Sequence, residues 1–186
     1  MFAAAASAAD PAAWRVWLEP RFVRSAATAP IVDAERTAWV AGVRVGGELR
    51  PFSRAEWEAI GLGWEGFLPR ARENAAADLA ALEPRLERDR RQVILYAVLH
   101  SPEPIVVAAL AAPSFVERWA STFGPDLLVA IPNAFTAYVF PKLASNPQAI
   151  VETIFDQYRA TAHPVSTELF EVNADGWRAI GRFEEP

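Results

Sequence analysis

Cysteine is absent from the 186 residues, which excludes disulfides, thiolate metal ligands and thiol nucleophiles together. Histidine occurs only twice, at His100 and His163, with neither H-x-H nor H-x3-H spacing. No metal site and no cofactor is therefore expected. No apolar run approaches the ~20 residues that a membrane helix needs, so no membrane partner is expected either. Positive charge is in deficit: 18 basic residues against 23 acidic ones give a net charge of −5. A broad phosphate-binding surface, and hence a nucleic-acid partner, is disfavoured. All the basic residues except Lys142 are arginine. The opening MFAAAASAADPAAW has small residues in the style of a signal peptide but no basic n-region. Residues 1–13 are accordingly read as a flexible tail and the protein as cytoplasmic.

Hydrophobic residues make up 52% of the chain and charged ones 22%, the balance of a globular protein with a real core. No repeat or linker divides it, so residues 14–186 are expected to form one domain. WRVWLEPRFVR (14–24) alternates apolar and polar positions, the period of a half-buried strand. Pro20 cannot donate to a ladder and belongs on an edge. SAATAP reads as a loop. The next apolar segment turns back at Gly46-Gly47, a hairpin signal because both residues accept positive φ. Ser53 and Glu56 have the spacing of a capping box, and Gly61 is a natural helix stop.

A second helix is expected from Phe67 to Leu82, with Leu68, Ala71, Ala75, Leu79 and Leu82 on its apolar face. Arg70, Asn74 and Asp78 then fall on the polar side, and Pro69 in the first turn, where it is tolerated. QVILYAVL (92–99) reads as a buried central strand. Two short helices split near Pro113 follow, then the strands DLLVAI and TAYVF. Pro132-Asn133 between them reads as a tight turn in which proline fixes φ and asparagine tolerates the left-handed region. Asn146 with Pro147 opens a further helix, and STELFEV and GWRAIGRF close the chain as a hairpin around Asn173–Gly176. Short turns between strands predict an α+β fold: mostly antiparallel sheet, helices packed on one face, and a C-terminal β-β-α-β-β unit.

Few constellations carry chemistry. GLGWEG (61–66) matches G-x-G-x-x-G literally, yet a helix precedes it where the dinucleotide fingerprint needs a strand. Glu152 and Asp156 lie four apart but opposite an apolar stripe, so they read as a solvated face. Ser114, Ser121 and Ser166 have no G-x-S-x-G elbow and no neighbouring base. RLERDRR (85–91) interleaves arginine with Glu87 and Asp89, which suits a solvated, ion-paired connection. The polar residues left at element ends or in packing helices are Arg72, Asn74, His100 and Asn133, and these are the candidate ligand-binding residues. No catalytic residue is nominated.

The ending DLLVAIPNAFTAYVF, followed by a helix, a proline-containing link and two closing strands, resembles the C-terminal end of the YtpQ-like bacterial proteins. That is a domain-of-unknown-function family. The stretch IVDAERTAWVAGVRVGGELRPFSRAEWEAIGLGWEGFLPRARENAAADL is similar to the middle of the family through Asp33, Gly63, Trp64 and Asn74. The resemblance covers residues 14–183, corresponding to the C-terminal two-thirds of the family, and implies its fold but no activity. Together these features point to a non-catalytic binding module for a protein partner or small ligand, immunity- or antitoxin-like among the options. The alternatives are an enzyme whose site assembles only in three dimensions and a structural or homodimerising module.

Overall fold

The computed structural model describes residues 10–143 and 145–185. The signal-like start therefore lies outside the described residues. Of the tail expected over 1–13, Pro11–Ala13 form one 3-10 turn, capped by the Asp10 side chain.

The chain is α+β, with every strand pair antiparallel and the strands divided between two sheets. The smaller sheet contains β1 (Trp14–Pro20), β2 (Thr28–Pro30), β3 (Thr37–Val45) and β4 (Glu48–Pro51). β1 borders one side of β3, from Trp14↔Val43 to Pro20↔Thr37, while β2 and β4 share the other side. Gly46 and Gly47 have φ of 59° and 91° and close the β3–β4 hairpin, as their sequence predicts. Gly42 is required for a different reason. A Cβ there would lie 2.2 Å from the Arg50 carbonyl oxygen and 2.5 Å from the Trp17 ring.

Helices α1 (Arg54–Ile60) and α2 (Gly63–Ala81) follow. The capping box is formed: Ser53 Oγ accepts from the Glu56 amide, and Glu56 Oε2 accepts from the Ser53 amide at 2.8 Å. Gly61 ends α1 at φ 68°. α2 starts one turn earlier than its apolar spacing predicts, because Gly63 to Gly66 are already helical. Pro69 consequently sits beyond the first turn. GLGWEG becomes a helix start, and Trp64 joins Trp57 and Phe67 in an aromatic cluster. Asp78, expected on the polar side, is on the buried one with Ala71, Ala75 and Leu79. The spacing of seven from Ala71 returns it to that face. There it meets arginines from β1 and β3.

The larger sheet has the order β10-β9-β7-β8-β6-β5. Its strands are β5 (Arg85–Arg88), β6 (Ile94–His100), β7 (Leu127–Asn133), β8 (Thr136–Pro141), β9 (Glu168–Asn173) and β10 (Gly176–Arg182). Two strands, β2 and β5, were expected as loop and as solvated connection. Each lies beside a strong apolar strand and takes its conformation from that neighbour. The charges of β5 suit an edge, where they discourage further pairing. β6 begins at Ile94 rather than Gln92, since Asp89–Val93 form the turn back from β5, with Gln92 at φ 66°.

Helices α3 (Val106–Ala109) and α4 (Phe115–Phe123) pack in the main core with α2. That core also takes Val129 and Ile131 of β7, whereas Leu128 and Ala130 point to the sheet's other face. α5 (Val151–Arg159) covers that second face with Ile154 and Phe155. Burial on both sides explains why DLLVAI lacks polar alternation. Asn146 makes no capping hydrogen bond; a 3-10 turn, Pro147–Ile150, leads into α5 instead. No helix among the described residues is long and apolar enough to cross a membrane.

Candidate binding cleft

Pro132-Asn133 is not itself the corner between β7 and β8. β7 continues through both residues, Asn133 pairs with Thr136, and Ala134-Phe135 make the turn. Asn133 keeps negative φ. Its side chain rather than its backbone shapes the corner: Oδ1 accepts from the Phe135 amide at 3.0 Å. Its amide group donates to the Gln157 carbonyl, 3.3 Å away in the last turn of α5. One buried asparagine thus shapes a β-turn and satisfies a carbonyl at a helix end, where no intrahelical donor is available.

This tether brings the end of α5 over the ends of β6 and β8. Between them lies an open cleft of about 740 Å³, with His100, Asn133, Thr136, Tyr138 and Gln157 in its wall and Glu83 and Arg85 at its margin. Thr136 and Tyr138 are two apart on β8 and so share the face that α5 covers. His100 ends β6 opposite Thr136, and its Nδ1 is 3.1 Å from Thr136 Oγ1. Burial raises the Tyr138 pKa, with a Gln157 hydrogen bond acting the other way. The phenol therefore remains protonated at neutral pH and available as a donor. Gln157 Oε1 is buried with no hydrogen-bond partner among the described residues. Tyr96 packs edge-on against the Tyr138 ring, 6.0 Å between centroids, and holds it in place.

Two of the four candidates, His100 and Asn133, share this cleft. The other two lie on α2, where they tie the helix to its surroundings. Arg72 Nε donates to the Ala111 carbonyl at 3.1 Å, and Asn74 donates to the Pro11 and Trp14 carbonyls at 2.8 and 3.0 Å. Tyr138 escaped the sequence reading because it sits in an apolar strand and looks like packing, and Gln157 because a glutamine on an amphipathic helix looks solvated. The polar positions at 136 and 138, alternating within TAYVF, were the available signal.

The arrangement offers hydrogen-bond donors and acceptors but little reactive chemistry. His100 is exposed, and the side chain its Nδ1 meets is the Thr136 hydroxyl, not a carboxylate. Among the described residues no group of three or more histidine, aspartate or glutamate side chains is placed to hold a metal ion. Arg85 Nε is taken by Glu87 at 2.8 Å. Comparison with family models, curated proteins and solved structures finds no match.

Proposed function

We propose that this protein is a non-catalytic binding module that takes a small polar ligand in the cleft between the β6–β8 ends and α5. The observation that carries the reading is Gln157 Oε1, a buried acceptor in the cleft wall without a donor among the described residues. Buried polar atoms are almost always satisfied, so an orphan beside an open cleft marks where a ligand donor would bond. The Tyr138 hydroxyl and the His100 ring would complete recognition as neutral hydrogen-bonding groups. A cytoplasmic location and kinship with the YtpQ-like proteins belong to the same proposal. The motif residues of that resemblance have fold roles, since Gly63 and Trp64 start α2 and Asn74 holds the residues before β1.

One observation favours catalysis as a second reading, the 3.1 Å His100–Thr136 contact, which resembles a base beside a hydroxyl nucleophile. Among the described residues no third group orients the imidazole. Ligand-observed NMR with a library of small polar compounds separates the two. The binding reading expects hits that compete with one another, weaken in Gln157→Leu and are recovered unchanged. A compound consumed by the wild type and spared by Thr136→Val would instead establish the catalytic one.

A further inference from the structure

A second cavity of about 280 Å³ lies apart from the cleft, between the end of β1, the start of β4 and the 162–165 segment. Most of the side chains lining it are apolar, among them Trp17, Pro20, Leu49, Val107 and Val165, with Phe22 at its mouth. Phe22 is 71% exposed, an unusual position for a phenylalanine and one that gives the opening an apolar lip. Into this wall β1 places one carboxylate, Glu19, half-buried.

Glu19 is partnered by neutral groups. Ser25 Oγ donates to its Oε2 at 2.9 Å, and no cation contributes to its environment among the described residues. Desolvation raises its pKa, with the Ser25 and Trp17 hydrogen bonds opposing. A carboxylate withdrawn from water without a countercharge is costly, and natural structures pair such groups. The more buried acids of this chain are satisfied in two ways: Asp78 and Glu56 have arginine partners, while Glu168, 4% exposed, accepts from the Glu35 and Arg36 amides and the Thr37 hydroxyl. Among the described residues Glu19 has neither a cation nor a backbone amide as partner, and it borders the cavity. The remaining titratable groups of the lining, Glu48 and His163, are both exposed at the rim.

We infer that this cavity is a binding site for a small organic ammonium ion, a compact apolar body seated among Trp17, Leu49 and Val107 with its amine against Glu19. The apolar side chains supply contact area, and the half-buried Glu19 carboxylate selects charge. A neutral molecule of the same shape would fill the cavity but leave the carboxylate uncompensated. Recognition therefore divides cleanly between two parts of one ligand.

The test uses benzylammonium and its neutral counterpart benzyl alcohol, titrated into the full chain by calorimetry and by amide chemical-shift mapping. Benzylammonium is expected to bind at least tenfold more tightly, with shifts centred on residues 17–23 and 162–165. Glu19→Gln, checked for folding by circular dichroism, should abolish that preference, and Phe22→Ala should weaken both compounds. Gln157→Leu, in the other cleft, should leave the preference intact. Equal affinities, binding of neither compound at millimolar concentration, or a preference that survives Glu19→Gln would each overturn the assignment.

Discussion

Replacing Asp78 by alanine should destabilise the protein far more than a typical single substitution. The Asp78 side chain is 4% exposed and bonds Arg15 Nε at 2.6 Å and Arg44 Nη1 at 3.0 Å. Arg15, on β1, is 10% exposed, and its remaining partners are the Ala12 and Trp14 carbonyls at 2.9 Å. Removing the carboxylate leaves a guanidinium buried with no countercharge, which costs about 3–5 kcal/mol. Arg44 adds little, since it is 29% exposed and retains Glu103. For a chain of this length each kcal/mol lowers Tm by about 2–4 °C, so the expected loss is ~6–20 °C. Urea unfolding followed by tryptophan fluorescence measures the free energy, and calorimetry measures Tm. The double variant Arg15→Met/Asp78→Leu removes both charges and should recover much of the loss. An Asp78→Ala protein within about 1 kcal/mol of wild type, or a double variant no better than the single, would refute the argument.

Gly42→Ala should cost ~1–3 kcal/mol or more, because its new methyl meets the Arg50 backbone and the packed Trp17 ring; urea unfolding measures it. Asn133→Ala should cost ~1–2 kcal/mol by stranding the Phe135 amide and the Gln157 carbonyl. It should also increase amide exchange at the end of α5. Glu56→Gln should cost about 1 kcal/mol at neutral pH through the weakened capping box and the lost Arg50 pair. Arg50 holds the Glu56 carboxyl down at about 2, below its ordinary 4.5. A depressed folded-state pKa stabilises above the unfolded value and is lost on acidification. The difference between Glu56→Gln and wild type should therefore shrink as pH falls from about 4.5 to about 2, read from thermal melts.

Features encoded by residues near in sequence were legible. The Gly46-Gly47 hairpin, the Ser53/Glu56 box and the Asn173–Gly176 turn each depend on local φ preferences or on side chains three residues apart. β2 and β5 were not legible because they lack an apolar alternation of their own and become strands only by pairing with β3 and β6. Asp78 was misplaced for a related reason. An aspartate on a helix signals solvent unless arginines from elsewhere meet it, and Arg15 and Arg44 lie 63 and 34 residues away. The cleft follows the same pattern: His100 and Asn133 stand out as polar residues at strand ends, whereas Gln157 gains meaning only once α5 is laid over β8.

The central claim is that the cleft binds a small polar ligand through Gln157, Tyr138 and His100. Its most direct measurement is amide chemical-shift mapping of the wild-type chain with a hit from a polar compound library. The account predicts saturable shifts clustered at residues 98–102, 133–138 and 157–161, lost in Gln157→Leu with the fold intact. Shifts scattered over the surface, or a cluster indifferent to Gln157→Leu, would contradict it.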